Sequence, residues 1–246
     1  FSRAFDVGLV EPLSVAFGVE HQSQELKIRS GDVASWYGTA AGSTIPSGAL
    51  AMPGISPDSA GKWTRNSLAT YLDLEGKLTE KLSLSAAARH ESYSDFGSSV
   101  SGSLAARYDF NPQVALRGSV SNGFRAPTLT QQHYSSIQTQ GQDLGAGLGI
   151  VTGQTGVFGV DSNVARLLGA QDLKPEKSQS QTIGLMLRPT DQLSLSFDAY
   201  RINIKDRINL SSNLALLGNA AAQAYLLANG VDSSNYQSIR YMTNAA

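Results

Sequence analysis

The sequence predicts an all-β fold: an antiparallel up-and-down sheet of about nine strands, forming one part of the wall of a larger transmembrane β-barrel. Three observations predict it. Between Lys81 and Leu129 the chain alternates residue by residue in three runs separated by turn signals. The runs are about 11 residues long, as a tilted membrane strand requires, whereas most soluble strands have about 5–6. The connections sort into very short ones and long ones, the asymmetry of short periplasmic turns and long extracellular loops.

In the first run Leu82, Leu84, Ala86, Ala88 and His90 share one parity, against Ser83, Ser85, Ala87, Arg89 and Glu91. In the second, Val100, Gly102, Leu104, Ala106, Tyr108 and Phe110 oppose Ser99, Ser101, Ser103, Ala105, Arg107 and Asp109. In the third, Val114, Leu116, Val120 and Phe124 oppose Gln113, Arg117, Ser119, Ser121 and Arg125. A period of two gives each strand one apolar and one polar face. Alternation alone fits a soluble sandwich, whose apolar face is a core. It fits equally an outer-membrane barrel, whose apolar face meets lipid while the polar face lines a wet lumen. Strand length and the sorting of loops favour the barrel.

Taken in order, Phe1 to Val10 alternates weakly and Glu11-Pro12 breaks it. Leu13, Val15, Phe17 and Val19 define a strand that stays extended to about Ile28. Arg29 to Arg65 is a long Gly-, Ser-, Ala- and Pro-rich connection, and Asn66 to Leu78 returns as a strand. Thr79-Glu80-Lys81 and Phe110-Asn111-Pro112-Gln113 are tight turns, the second with Pro where no ladder hydrogen bond is needed. Tyr93–Ser98 is a connection at the opposite end, as is Ala126–Lys177. Within the latter, Gly141 to Gly159 is glycine-rich, and Gly145-Ala146-Gly147-Leu148-Gly149 reads as a mobile loop. Asp161 to Leu168 reads as a short helix capped by Asp161 or Ser162 and stopped by Gly169. Ser178 to Arg188 and the run from Leu193 are strands joined at Pro189-Thr190-Asp191-Gln192. Apolar parity switches at Tyr200, which implies a bulge or a strand leaving the lipid zone. Leu210 to Ser238 is a further connection, with a helix from Asn219 to Ala228 closed by Gly230.

Composition narrows the class. The 246 residues carry a formal net charge of −1, with no basic patch for nucleic acid. Cysteine is absent, which excludes disulfides and thiolate metal sites. Charged residues make up 16%, below the roughly 25% of soluble domains. No run approaches the roughly 18 apolar residues of a membrane helix. Phe1 opens on no basic leader, and Tyr241–Ala246 reads as the start of another strand, so the chain is expected to belong to something longer.

Three segments carry a family resemblance. Gly123-Phe124-Arg125-Ala126-Pro127-Thr128-Leu129 resembles the FRAP-type segment of TonB-dependent outer-membrane receptors. Leu173-Lys174-Pro175-Glu176-Lys177-Ser178 is similar to the family's LKPE segment. Phe197 to Ile208 resembles its D-Y-Y-R-I-x-I-x-D-x-I strand. The resemblance implies a plugged barrel of roughly twenty-two strands that imports a scarce nutrient, most often a ferric siderophore. The implied partners are outer-membrane lipid, the siderophore or other small nutrient, and TonB, reached through a plug domain. Residues 1–246 are then a partial barrel domain without plug or last strands, placed in the cell outer membrane. As a piece of a wall it is not expected to transport alone.

Site chemistry is sparse. No nucleophile–base pair stands out, so no catalytic residue, cofactor or enzyme activity is expected. His21, His90 and His133 lie on three elements without ligand spacing, so no metal site is expected. Gly145-Ala146-Gly147-Leu148-Gly149 does not fit a phosphate-binding motif. Asp73, Glu75, Arg89, Glu91, Arg107, Asp109, Arg117 and Arg125 read as an ion-pair network on a hydrated lumen wall, with Asp73 diagonal to Arg89. Arg125 stands apart, at the outer end of its strand with no acidic residue near in sequence. Trp36, Tyr37, Tyr93, Phe96 and Tyr134 fall in outer loops, where aromatics grip ligand or pack locally. The candidate substrate-binding set is Arg125, Tyr134, Trp36 and Tyr37. The alternatives are a passive porin or adhesin-type barrel, or a soluble β-sandwich binding domain.

Overall fold

The computed structural model describes residues 1–37, 48, 52–143, 150–234 and 236–245. In chain order the elements are β1 (Ser2–Phe5), β2 (Leu13–Ile28), α1 (Val33–Trp36), β3 (Gly61–Thr79), β4 (Leu82–Tyr93), β5 (Gly97–Asn111) and β6 (Val114–Arg125). They continue with α2 (Leu129–His133), β7 (Ser136–Asp143), β8 (Ile150–Phe158), α3 (Asn163–Leu167), β9 (Glu176–Thr190) and β10 (Leu193–Lys205). The last are β11 (Ile208–Leu210), β12 (Leu214–Ala215), α4 (Ala220–Ala228) and β13 (Tyr236–Asn244). Eight strands form one antiparallel sheet in the order β1-β2-β3-β4-β5-β6-β9-β10.

The tight turns all fall at one end, as the loop lengths predict. Thr79 pairs with Leu82 across one and Asn111 with Val114 across the next. Side-chain oxygens cap them. Thr79 Oγ1 accepts from the Leu82 amide at 3.1 Å, and Asn111 Oδ1 accepts from Gln113 and Val114, each at 2.9 Å. The first turn reaches the same end, because Lys77 on β3 is paired with Glu11 at 3.2 Å.

Register keeps each parity on one face. Leu74, Ala86, Leu104 and Val120 form one row across four strands, and Asp73, Ala87, Ser103 and Ser121 form a row on the other face. Leu72, Leu74, Leu84, Leu104, Leu116, Leu185 and Leu195 therefore share the apolar face. None of them is buried. Val19 at 70% exposure and Phe197 at 60% lie on the same face. A sandwich core would bury these residues, so that alternative fails.

The dry core lies elsewhere. Phe158, Val160, Ala165, Leu173, Ile208, Leu216, Leu226 and Ile239 pack together in the long connections and the strands they contain. These connections hold a second sheet, ordered β11-β13-β8-β7 with β12 on β13.

Several expectations are corrected. Among the described residues the wall sheet has eight strands, in keeping with the expected number of about nine, while the C-terminal run, read as the start of a further strand, joins the second sheet as β13. The Arg29–Arg65 connection is shorter than read, since Gly61–Arg65 already belong to β3. The connection Ala126–Lys177 is not without strands, since it holds β7 and β8, and the mobile loop expected at Gly145–Gly149 lies outside the described residues. No bulge sits at Tyr200, because β10 keeps one register against β9 from Leu195 to Lys205. Both short helices form where expected, with Ser162 capping α3 and Asn219 capping α4.

Candidate functional site

The polar face, at the end holding the long connections, gathers the side chains with chemistry. β3, β4 and β6 place Trp63, Arg65, Tyr93 and Arg125 there. Asp95, at the tip between β4 and β5, approaches from the side.

Arg65 is 3% exposed, too buried for an unpaired cation. Its Nε donates to both oxygens of Asp95 at 3.0 and 2.9 Å and its Nη2 donates at 2.6 Å, a forked pairing. Gln132 of α2 adds a hydrogen bond to Asp95 at 3.2 Å. The guanidinium also lies 5.8 Å from the Tyr93 ring centroid and 5.2 Å from that of Phe96. Tyr93 and Phe96 stack at 4.4 Å. Burial opposes ionisation of Asp95, but the hydrogen bonds from Arg65 and Gln132 outweigh it and hold the carboxyl below its usual range.

α2 is set by a capping box: Thr128 Oγ1 accepts from the Gln131 amide, and the Gln131 side chain accepts from the Thr128 amide. The helix ends at His133, whose ring stacks on Trp63 at 4.9 Å, nearly parallel. His133 Nδ1 lies 2.7 Å from Asp161. Burial raises and the His133 hydrogen bond lowers the Asp161 carboxyl, with a net downward shift. One helix thus ties the strand wall to the loop after β8.

Arg125 does have an acidic partner, contrary to the expectation from sequence. Its Nε and Nη2 donate to Glu176 at 2.8 and 2.7 Å. Glu176 stands far off in sequence but directly opposite in register, because β6 pairs with β9 across the whole long connection. Glu176 Oε1 also accepts from the Ile208 amide at 2.8 Å. One carboxylate therefore joins the three segments that carry the family resemblance. The pair is unequal: the Arg125 side chain is 55% exposed and that of Glu176 12%. The structure records no acceptor among the described residues for the remaining guanidinium N–H groups of Arg125.

The other candidates are placed separately. Trp36 donates its indole N–H to the Gly31 carbonyl at 3.1 Å and meets Tyr37 edge-on at 6.3 Å. Tyr37 is exposed, and Tyr134 is half-buried between α2 and β7. The structure does not bring these aromatics into contact with Arg125. Lower on the same face, Arg89 bonds Glu91 and Glu20 rather than Asp73, Arg107 bonds Asp109, and Arg117 bonds Asp198. Among the described residues no cluster of three potential metal ligands exists.

Sequence reasoning missed Arg65, Asp95, Gln132, Trp63 and Asp161. The Thr128-x-x-Gln131 spacing was a readable sign of α2. The rest depends on contacts between residues far apart in the chain.

Comparison with known proteins adds the following. The family model described as TonB dependent receptor-like, beta-barrel matches residues 4–242. The iron-regulated outer membrane virulence protein of Vibrio cholerae is 26% identical over 140 residues, covering 57% of this chain and 18% of that protein. The siderophore receptor PirA of Pseudomonas aeruginosa superposes with a TM-score of 0.63 at 17% identity, covering 99% of this chain and 35% of that one. A ferric enterobactin receptor variant of the same organism, solved with enterobactin, gives 0.62 at 18% identity, covering 99% of this chain and 30% of that one. The chain thus spans about a third of the length of these solved structures.

Proposed function

This chain belongs to the TonB-dependent receptor β-barrel family of the outer membrane, and from that premise we propose that it forms wall and mouth of a receptor importing a ferric siderophore. The observation that carries the siderophore reading is Arg125. It is a half-exposed guanidinium at the loop end of the polar face, held in place by Glu176 and with donors to spare. A guanidinium so held loses little freedom when it binds a carboxylate or catecholate oxygen. The names of the relatives support the same ligand class, since they include siderophore and ferric enterobactin receptors. Tyr134, Trp36 and Tyr37 contribute aromatic surface around the ligand. Uptake draws its energy from the TonB system through a plug domain.

The test measures ferric enterobactin binding and energy-dependent iron uptake by the receptor carrying this wall. Arg125→Gln should weaken binding by about tenfold or more, the value of a charge-assisted hydrogen bond. Arg107→Gln, near the tight turns, should leave it unchanged. Glu176→Gln separates the roles of the pair, because it loosens Arg125 but keeps its charge. Binding should survive in Glu176→Gln. Equal loss in Arg125→Gln and Glu176→Gln would reduce Arg125 to a structural strut.

A further inference from the structure

The acidic partner of Arg125 is itself held from a second direction. Glu176 Oε2 accepts from Arg125 Nε at 2.8 Å. Its Oε1 is shared by Arg125 Nη2 at 2.7 Å and the Ile208 amide at 2.8 Å. Ile208 opens β11, which belongs to the second sheet, and its side chain is buried in the dry core there. β11 pairs with β13, where Asn244 stands opposite Ile208.

Asn244 does more than complete that ladder. Its Oδ1 accepts from the Lys174 amide at 2.8 Å, and its Nδ2 donates to the Lys174 carbonyl at 2.9 Å and to the Asp206 carbonyl at 2.6 Å. Both side-chain amide protons are thereby used. Lys174 lies two residues before Glu176, and Asp206 two before Ile208, so one side chain ties both approaches to the Glu176–Ile208 bond. Pro175 has no N–H to offer a neighbouring strand, and β9 begins only after it. The Asn244 side chain gives Lys174 the donor and acceptor that a strand would. On the other approach, the ladder between β9 and β10 ends at Lys205. Asp206 then turns into the left-handed region at φ 55°, the one positive φ among the described residues other than glycine. Asp is among the few side chains that accept this conformation. Its carbonyl, beyond the ladder, is taken up by Asn244.

We infer, on the reading of Arg125 as a ligand-binding group, that Asn244 is a positioning residue for its guanidinium. Asn244 fixes Lys174 and Asp206, these fix the Glu176 carboxylate against the Ile208 amide, and the carboxylate sets the direction of Arg125. None of the three side-chain hydrogen bonds of Asn244 goes to Arg125 or Glu176. Without them the guanidinium keeps its charge and its partner but loses its fixed direction, and ordering it adds to the cost of binding. A group on the wall is thus held only while β13 of the second sheet is docked beside it.

An arginine-specific dicarbonyl reagent tests this in the whole receptor, with the rate at each arginine read by peptide mass spectrometry. Asn244→Ala should raise the rate at Arg125 about threefold or more, the shift expected when the restraint of one hydrogen bond is lost. Arg107 and Arg117, paired with Asp109 and Asp198, have no link to Asn244 and should react as before. Asn244→Asp keeps the shape and the acceptor for the Lys174 amide but has no proton for either carbonyl, and should raise the Arg125 rate as well. Heat-modifiable mobility confirms that the variants fold. An unchanged Arg125 rate in both variants, or an equal rise at all three arginines, would overturn the positioning role. Ferric enterobactin binding separates that role from the siderophore reading. Asn244→Ala alone should weaken it about threefold, and should cause no further loss beside Arg125→Gln. A further loss in the double variant would show Asn244 acting on the mouth at large and would also overturn the role. Wild-type binding by Arg125→Gln, together with a raised Arg125 rate in Asn244→Ala, would sink the siderophore reading and leave the positioning of Arg125 standing.

Discussion

Arg65 is a buried cation at the long-connection end of the wall. It is buried against Tyr93 and Phe96, and its charge is matched by Asp95. Removing one partner of a buried pair leaves the other uncompensated, which costs about 3 kcal/mol or more. Asp95→Asn should lower stability by about that amount in urea titrations of detergent-solubilised protein. The pH dependence has a definite sign. The folded carboxyl lies below its ordinary value, so its contribution is present above that value and is lost as pH falls through the folded one. The wild type should therefore lose this stability in acid below about pH 4, and Asp95→Asn should lack that loss. None of this was legible in the sequence, where Arg65 read as part of a loop. The polar parity showed which residues face the lumen, but not which charges meet. Arg125 illustrates the limit: its partner Glu176 becomes a neighbour only once β6 and β9 pair across the intervening connection.

At the scale of elements, legibility followed locality. Turns written in a few residues were read correctly, because Thr79 and Asn111 satisfy amides two or three positions on. Asn111→Ala frees two amides at once and should cost about 1–2 kcal/mol, read from the urea midpoint. The capped helices α3 and α4 were also local and were read. The second sheet was not. β8 is glycine-rich without alternation, and it pairs in parallel with β13 far along the chain, which no periodicity announces. Its stability comes from the apolar cluster around Leu216, Leu226 and Ile239, all but fully buried. Leu226→Ala should cost about 2–5 kcal/mol within this unit while leaving the wall paired. Limited proteolysis would then cut the long connections before the strands.

At the scale of the whole molecule the sheet is a septum between two solvents. Its outer face would be a solubility hazard in water, since exposed apolar surface of this extent marks an interface; we infer that it is the face turned to lipid. Its inner face is a ladder of paired charges that lipid would exclude. The edges β1 and β10 carry unpaired backbone groups, which a bilayer does not tolerate. We infer that further strands close them in the receptor. Whole-molecule polarity was the most legible feature in the sequence, because alternation assigns a face to every strand residue at once. Two neighbouring alanines test it with a single change of chemistry. Ala105 and Ala106 stand about 12 Å above the turn end, near mid-bilayer, on opposite faces. Ala105 is flanked in register by Ser85 and Ser119, and Ala106 by Leu84 and Gly118. Arg at 106 must enter hydrocarbon and should cost about 2–4 kcal/mol, seen as lost heat-modifiability and degraded protein in the outer membrane. Arg at 105 meets a hydrated wall and should assemble normally. If both variants assembled equally well, the outer face would be wet, and the lipid-facing orientation of every strand in the wall would fall with it.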